Sequence, residues 1–366
     1  MRFSVQRETI LKPLQLASGV VERKQTLPIL SNVLINIQDN QLSITATDLE
    51  VEMIAYAKVE NAQDGVITLP ARKFMDICRA LPEDSNIEIS LDKERASLRS
   101  GKSRFVLSTL PAEEFPNIDT IQQTVEIRVP QNTLRTLLDK THFAMAQQDV
   151  RYYLNGLLLE VANGILRTVA TDGHRLALCE QELDIKIDEN QQIIIPRKGV
   201  LELTRLLGDS DELVTLQIGS NHIRVSTGDI SFTSKLIDGR FPDYQRVVPQ
   251  GGDKIVTTDR ESLRQALTRA SILSNERYRS VRFQLSSGSL RVLANNPDLE
   301  EAEEELAVDY EGGHLDVGFN ANYITDALSA IDEEQVQLIL SDSNSCCLMH
   351  GCKNQDSKYV VMPMRI

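Results

Sequence analysis

The chain repeats itself, and that limits its architecture more than any other feature. Ala46-Thr47-Asp48-Leu49-Glu50 returns as Ala170-Thr171-Asp172-Gly173-His174, and the same shift lays Phe3-Ser4-Val5 on Ile127-Arg128-Val129 and Ile10 on Leu134. A third copy starts at Ile255-Val256-Thr257, with Leu263 in the place of Leu134 and Ala294-Asn295-Asn296 in that of Ala-Thr-Asp. A second unit recurs in step: Pro70-Ala71-Arg72-Lys73-Phe74, then Pro196-Arg197-Lys198-Gly199-Val200, then more weakly Phe319-Asn320-Ala321-Asn322-Tyr323. It closes at Phe115-Pro116-Asn117 and at Phe241-Pro242-Asp243. One supersecondary design used repeatedly is the physical meaning of such self-similarity. The 366 residues therefore divide into three domains, 1–118, 128–243 and 254–366. The polar segments 118–126 and 244–253 read as linkers, the second holding Pro249-Gln250-Gly251-Gly252.

Each domain reads as two halves, each a helix followed by strands. In the second domain, 132–143 has Leu134, Leu137, Leu138 and Thr141 at helical spacing. Strand-length apolar runs follow at 154–161, 165–170 and 176–181, with Asn163-Gly164 as a turn. The other half has a helix at 197–207 and strands at 214–218, 223–227 and 232–236. The class is α+β, with six helices in three repeats.

Charge then separates the helices from the rest. The chain has a formal net charge of −14, which taken alone argues against nucleic acid. Five of the six helical segments are nonetheless net basic, through Arg7 and Lys12, Arg72 and Lys73, Arg135 and Lys140, Arg197 and Lys198, and Arg264 and Arg269. Glu forms helices as well as Lys and Arg do, yet these helices hold few, so the placement points to a basic helical wall facing phosphates. Helices pack 8–10 Å apart, so six in a circle leave a hole roughly 19 Å across from axis to axis. Twelve give roughly 38 Å, enough for a duplex about 20 Å wide. A ring enclosing DNA thus needs two chains joined head to tail. The ends suggest the joint: a basic strand with Arg99, Lys102, Arg104, Phe105 and Leu107 in the first domain, and an acidic run with Glu300, Glu301, Glu303 and Glu304 beside Ile272 and Leu273 in the third.

Catalytic motifs are absent. Gly101-Lys102-Ser103 resembles the end of a phosphate-binding loop, but position 96 is Ala and the segment lies between strands. No Gly-x-Ser-x-Gly, His-Glu-x-x-His or Gly-x-Gly-x-x-Gly occurs. Asp172 with His174 could suggest acid–base or metal-dependent hydrolysis. The matching positions hold Asp48 with Glu50 and Asn296 with Asp298, so the element is a turn and His174 a local specialisation for binding. Cys78 and Cys179 sit in apolar patterns as buried free thiols. Cys346, Cys347, His350 and Cys352 lack paired zinc-ligand spacing and read as two strand cysteines and a loop cysteine. No metal or cofactor is expected, and no membrane span or signal peptide is seen, so a cytoplasmic location is expected. The rival to an enclosing ring is a repeat scaffold that binds only proteins.

At this point the residues resemble a known family, the bacterial β sliding clamps that make replicative DNA polymerases processive. The likeness covers the whole chain and rests on Gln148-Asp149-Val150-Arg151-Tyr152-Tyr153-Leu154-Asn155-Gly156, Ala170-Thr171-Asp172-Gly173-His174-Arg175-Leu176, Asp238-Gly239-Arg240-Phe241-Pro242-Asp243-Tyr244, Asn295-Asn296-Pro297 and Val360-Val361-Met362-Pro363-Met364-Arg365-Ile366. The resemblance implies a non-enzymatic homodimeric ring around double-stranded DNA, helices lining the hole, loaded by an ATP-driven clamp loader. It also implies tethering of the replicative DNA polymerase and of other clamp-binding polymerases and repair proteins. The implied partner-peptide pocket, between the second and third domains, comprises Leu154, Thr171, Gly173, His174, Arg175, Leu176, Pro242, Arg246, Val247, Asn320, Tyr323, Val360, Met362, Pro363, Met364 and Arg365. The implied DNA contacts are Arg23 and Lys24, with Lys24 where Arg is common, and Gln148, Tyr152 and Tyr153. Asn344 and Cys346 depart from the family pattern, where an aliphatic residue and a Ser are more usual.

Overall fold

The computed structural model describes residues 1–21, 27–116, 123–162 and 164–365. They hold six α-helices: α1 (Arg7–Val20), α2 (Ala71–Ala80), α3 (Gln131–Asp139), α4 (Arg197–Leu206), α5 (Arg260–Ala270) and α6 (Ala321–Ala330). Each follows directly on a strand that ends at the residue before it. The apolar spacing explains the buried faces. Ile10, Leu14 and Ala17 of α1 are fully buried, as are Leu263, Ala266, Leu267 and Ala270 of α5. Asp259 caps α5 by accepting from the Ser262 N–H at 2.7 Å, and Asn320 caps α6 by accepting from that of Asn322 at 2.9 Å.

The chain forms two compact units. The first is Met1–Asn132 with Leu201–Leu236; the second is Thr133–Val200 with Ile237–Ile366. In the first, a five-stranded sheet runs Glu60–Gln63, Arg2–Gln6, Asn86–Asp92, Arg95–Ser100, Ser103–Ser108. Its eight-stranded sheet runs Gln123–Pro130, Leu213–Gly219, His222–Thr227, Ile230–Lys235, Val51–Lys58, Gln41–Thr47, Asn32–Gln38, Gly65–Pro70. In the second unit, an eight-stranded sheet runs Gln191–Pro196, Gly156–Ala162, Ile165–Thr171, Arg175–Glu182, Ser357–Val361, Cys347–Gly351, Gln335–Leu340, Lys254–Asp259. A four-stranded sheet runs Glu301–Ala307, Ser289–Asn295, Ser280–Ser286, Leu315–Asn320.

The sheets thus cross the limits of the repeats. In the first unit Ile230–Lys235 pairs antiparallel with Val51–Lys58, with Ser234 opposite Val51. In the second, Ser357–Val361 pairs antiparallel with Arg175–Glu182, with Val361 opposite Arg175. Strands of the central repeat are therefore shared between both units. Backbone pairing decides this: an edge strand has unpaired N–H and C=O groups that a neighbouring repeat satisfies.

Several details differ from the sequence reading. Helix α3 ends at Asp139 rather than running to 143. The Thr141 hydroxyl donates to the Leu137 carbonyl at 2.7 Å and lies 3.1 Å from that of Thr168, and a short 3-10 turn follows at His142–Ala144. Thr141 is still fully buried, as its spacing requires. The segment after Asp243 is no free linker, since Tyr244 is buried and starts a 3-10 turn. Strand Gln123–Pro130 takes up the end of the other polar segment. Gly101-Lys102 is the turn of a β-hairpin, Ser100 opposite Ser103, with Gly101 at φ 55°. Cys78, Cys179 and Cys347 are buried free thiols; burial pushes Cys78 up to about 12. Cys346 lies just before the Cys347–Gly351 strand rather than in it. Asn163 lies outside the described residues. Among the described residues no group of three or more His, Cys, Asp or Glu could hold a metal ion, and no helix is long and apolar enough to cross a membrane.

Candidate functional site

All sixteen candidate pocket residues fall in the second unit. The turn between Ile165–Thr171 and Arg175–Glu182 supplies one side. The Thr171 hydroxyl donates to the Arg175 carbonyl at 2.6 Å, and one Asp172 carboxylate oxygen accepts from the His174 and Arg175 amides at 2.9 and 3.0 Å. Gly173 sits at φ 87°, and a Cβ there would come within 2.9 Å of the Arg151 guanidinium. His174 is exposed and stacks on Tyr323 of α6, centroids 6.4 Å apart.

Arg175 is a brace rather than a free binding group. It donates to Asp172, to Asp326 of α6 and to the Phe143 carbonyl, and its guanidinium lies 4.5 Å from the Tyr323 ring centroid. The C-terminal segment closes the other side. The Met362 N–H donates to the His174 carbonyl at 2.9 Å, and the Met364 N–H donates to that of Gly318 at 2.8 Å. The tail thus ties the eight-stranded sheet to the end of the four-stranded one within this unit.

Burial sorts the remaining residues. Leu154, Leu176 and Val360 are buried. Leu176 and Val360 form one cluster with Leu158, Val169, Leu178, Ile194, Phe241, Tyr244 and Leu348. Val247, Val248, Ile237, Ile339, Tyr153 and Cys346 pack on it and stay partly open. Met362, Pro363 and Met364 are half-buried, whereas Pro242, Arg246 and Arg365 are exposed. Arg246 pairs with Asp243 at 2.8 Å. Asn320 spends its side-chain oxygen on the α6 cap. Asn344 and Arg365 line a polar cavity of about 710 Å³ with Arg282, Asp316 and Pro363. The arrangement suits an extended peptide with apolar anchors: an apolar floor, flexible methionine walls and a few polar groups at the edge. Sequence reasoning missed Phe241, Tyr244 and Ile237 as part of this floor. Their signal was present: Phe241 closes the second repeat and Asp238–Tyr244 is a family marker that includes the pocket candidate Pro242.

The other candidate residues are spread more widely. Arg23 and Lys24 lie outside the described residues. Gln148 is exposed at φ 56°, and Tyr152 is 57% exposed. Tyr153, edge-on to Tyr152, turns into the pocket floor. The loop between them is stiffened by Arg151, whose fork on Asp149 at 3.0 and 2.8 Å holds that carboxyl down at about 2. Arg72 and Lys73 are exposed on α2, whereas Arg197 and Lys198 are half-buried. Arg7 is not part of a free basic surface: it donates to the Cys78 and Arg79 carbonyls at the end of α2.

At the candidate joint, Ser103–Ser108 and Glu301–Ala307 are each the outer strand of a sheet. Arg99, Lys102 and Arg104 are exposed and Phe105 half-buried, but Leu107 is buried within its own unit. Ile272 is 73% exposed and Leu273 half-buried. The acidic run is partly engaged: Glu304 pairs with Arg269 at 2.7 Å, Glu303 with Arg291, and Glu300 with Asn296. Glu301 is exposed.

The residues match the DNA polymerase III beta subunit family along their whole length: its N-terminal domain over 1–119, its central domain over 128–243 and its C-terminal domain over 245–365. The chain belongs to this family. It is 56% identical to the beta sliding clamp of Pseudomonas putida and 51% identical to that of Escherichia coli K12, over 100% of both chains in each case. Among solved structures it is similar to the DNA polymerase III beta subunit of Pseudomonas aeruginosa, with 56% identity, full coverage of both chains and a TM-score of 0.98. A clamp from the same organism bound to griselimycin matches with a TM-score of 0.97.

Proposed function

We propose that the protein is a sliding clamp: two copies close head to tail around duplex DNA and tether the replicative polymerase and other DNA-processing proteins through the pocket at Met362. The action is non-enzymatic and takes place in the cytoplasm, after an ATP-driven loader has opened the ring. One observation carries this reading. Each repeat continues its sheet into the next at two places within the chain, and the unused edges of the first and third repeats have the matching chemistry. Ser234 opposite Val51 and Val361 opposite Arg175 are equivalent pairs. Carrying that register to the free edges places Leu107 of one copy opposite Glu300 of another, Phe105 opposite Ala302 and Arg104 opposite Glu303.

Burial supports the register. The equivalents of Phe105 are Phe232 and Tyr359, which are 0% and 1% exposed, while Phe105 remains half-buried. Tyr359 packs against Phe143 at 5.9 Å between centroids, and Ile272 stands at the position equivalent to Phe143. A second copy would cover Phe105 with Ile272 in the same way. Apolar contact at the centre with charged rims is how specific interfaces are built.

A chain of net charge −14 holds DNA weakly by ionic contact alone. Enclosure removes that dependence. Loaded on nicked circular plasmid, the protein should survive a wash in about 0.5 M salt, where ionic binding through several phosphates loses orders of magnitude. Cutting the plasmid once should release it. Loss from intact circles in salt, or retention on linear DNA with free ends, would make a surface-binding scaffold the better reading.

A further inference from the structure

The cluster behind the pocket floor contains a polar group that its packing does not require. Tyr244 is 5% exposed, with its ring among Leu158, Leu176 and Val360. Its hydroxyl reaches through this cluster to a charged group on the sheet. Arg167 donates to it at 2.9 Å, and it donates to Glu160 at 3.1 Å. Arg167 in turn donates to Glu160 at 2.7 Å and to Glu180 at 2.6 Å, and Gln192 donates to Glu160 at 2.8 Å. Burial pushes the Tyr244 phenol up, so it remains a donor at ordinary pH.

The arrangement belongs to the central repeat alone. Positions equivalent to Glu160, Arg167 and Glu180 hold Asn36, Ser43 and Tyr56 in the first repeat. In the third they hold Gln284, Arg291 and Glu305, and Arg291 turns to Glu303 and Gln284 instead. With Glu160 buried and Arg167 and Glu180 half-buried, this ion cluster is a poor source of stability compared with apolar packing. What it offers is a fixed geometry, because a satisfied network has one good arrangement. Tyr244 starts the short turn from which Arg246 and Val247 project, and its carbonyl accepts from the amides of Val247 and Val248 at 3.0 and 3.3 Å.

We propose that Glu160, Arg167 and Glu180 act through the Tyr244 hydroxyl as a strut that fixes the Pro242–Val248 turn and so sets the affinity of the pocket for partner peptides. These are positioning residues; none meets the peptide. The proposal rests on the reading of the Met362 pocket as the partner site. Without the strut the turn samples other positions, and a peptide must then order it on binding.

Tyr244→Phe removes one hydroxyl and leaves both the ring and the Arg167 ion pairs. The dimer and the thermal midpoint should be nearly unchanged. Binding of a synthetic peptide with glutamine followed by apolar residues should weaken about tenfold, chiefly through faster dissociation. Hydrogen exchange at the Val247 and Val248 amides should speed up while the sheet amides stay protected. Arg167→Lys keeps the charge but not the fork, so it should give the same local exchange and a similar loss. The double variant should bind no worse than the weaker single one, because both act through one bond. Deleting Met362–Ile366 is the control, and should abolish binding. If wild type binds, the deletion abolishes binding and Tyr244→Phe binds as wild type does, the strut is wrong and the pocket stands. If wild type does not bind the peptide, or the deletion leaves binding intact, the pocket reading fails and the strut falls with it.

Discussion

Leu49 and Gly173 occupy the same place in two copies of one turn, at φ 80° and 87°. The turn chemistry around them is shared: Thr47 and Thr171 hydroxyls donate to carbonyls four residues on, and Asp48 and Asp172 accept two amides each. A left-handed conformation costs an L-residue about 1–2 kcal/mol, part of which a glycine gives back through its freer unfolded state. Leu49→Gly should therefore raise stability by about 0.5 kcal/mol and lift the thermal midpoint by about 1–2 °C. Gly173→Ala should cost about 1–2 kcal/mol, since the new Cβ is strained and also displaces Arg151. The third copy, built on Asn296, closes one residue later with Leu299 at φ 65°. That the three segments are turns was legible from their alignment. That Arg175 beside one of them is a brace was not, because Asp326 and Phe143 are distant in sequence.

At the scale of elements, the proposed assembly rests on two strand edges. Phe105 and Ile272 are an aromatic and an aliphatic side chain left partly open at opposite ends of the repeat series, where their in-chain equivalents are covered. Replacing Ile272 by Ala and Leu273 by Asp should give a folded monomer by sedimentation, since burying an unpaired carboxylate costs more than the about 2–7 kcal/mol of an unpaired neutral polar group. Arg104→Glu alone should weaken the dimer by about tenfold, and Glu303→Arg in the same chain should restore part of the loss. The restoration will be incomplete because Glu303 already engages Arg291. An unchanged dimer in the first variant would remove this joint. Leu107 was expected at the apolar centre from its place in the basic strand. It shares a face of the strand with Phe105 but is already covered within its own unit, whereas Phe105, nearer the hairpin turn, stays half-buried.

For the whole molecule, the question is how an acidic protein works on an acidic polymer. Arg72 and Lys73 on α2 are exposed, whereas Arg197 and Lys198 of α4 are half-buried. Arg264, Arg269 and Arg135 are taken up by Glu261, Glu304 and Asp139. Changing Arg72 and Lys73 to Ala should reduce initial DNA binding and lower the salt slope by about two, each phosphate contact contributing about 0.9. Retention on an uncut circle should hardly change. Binding titrations over a salt series and plasmid retention assays read the two effects separately; equal losses in both would show that contacts rather than closure hold the DNA.

By itself the sequence determined the repeat number, the α+β class, the six helices, the apolar face of the one at 132–143, and a family likeness that covers the whole chain. All of these rest on local order: helical spacing, strand-length apolar runs, and turn residues whose hydrogen bonds close within a few positions. Tertiary structure alone decided which strands share a sheet, so that the central repeat serves two compact units rather than forming one of its own. It also decided that Val360 and Leu176 are buried in one apolar cluster, that Tyr153 turns inward, and that Tyr244 is anchored on Arg167. Each of these depends on edge pairing or on contacts between residues far apart in the chain, and sequence periodicity has no term for either.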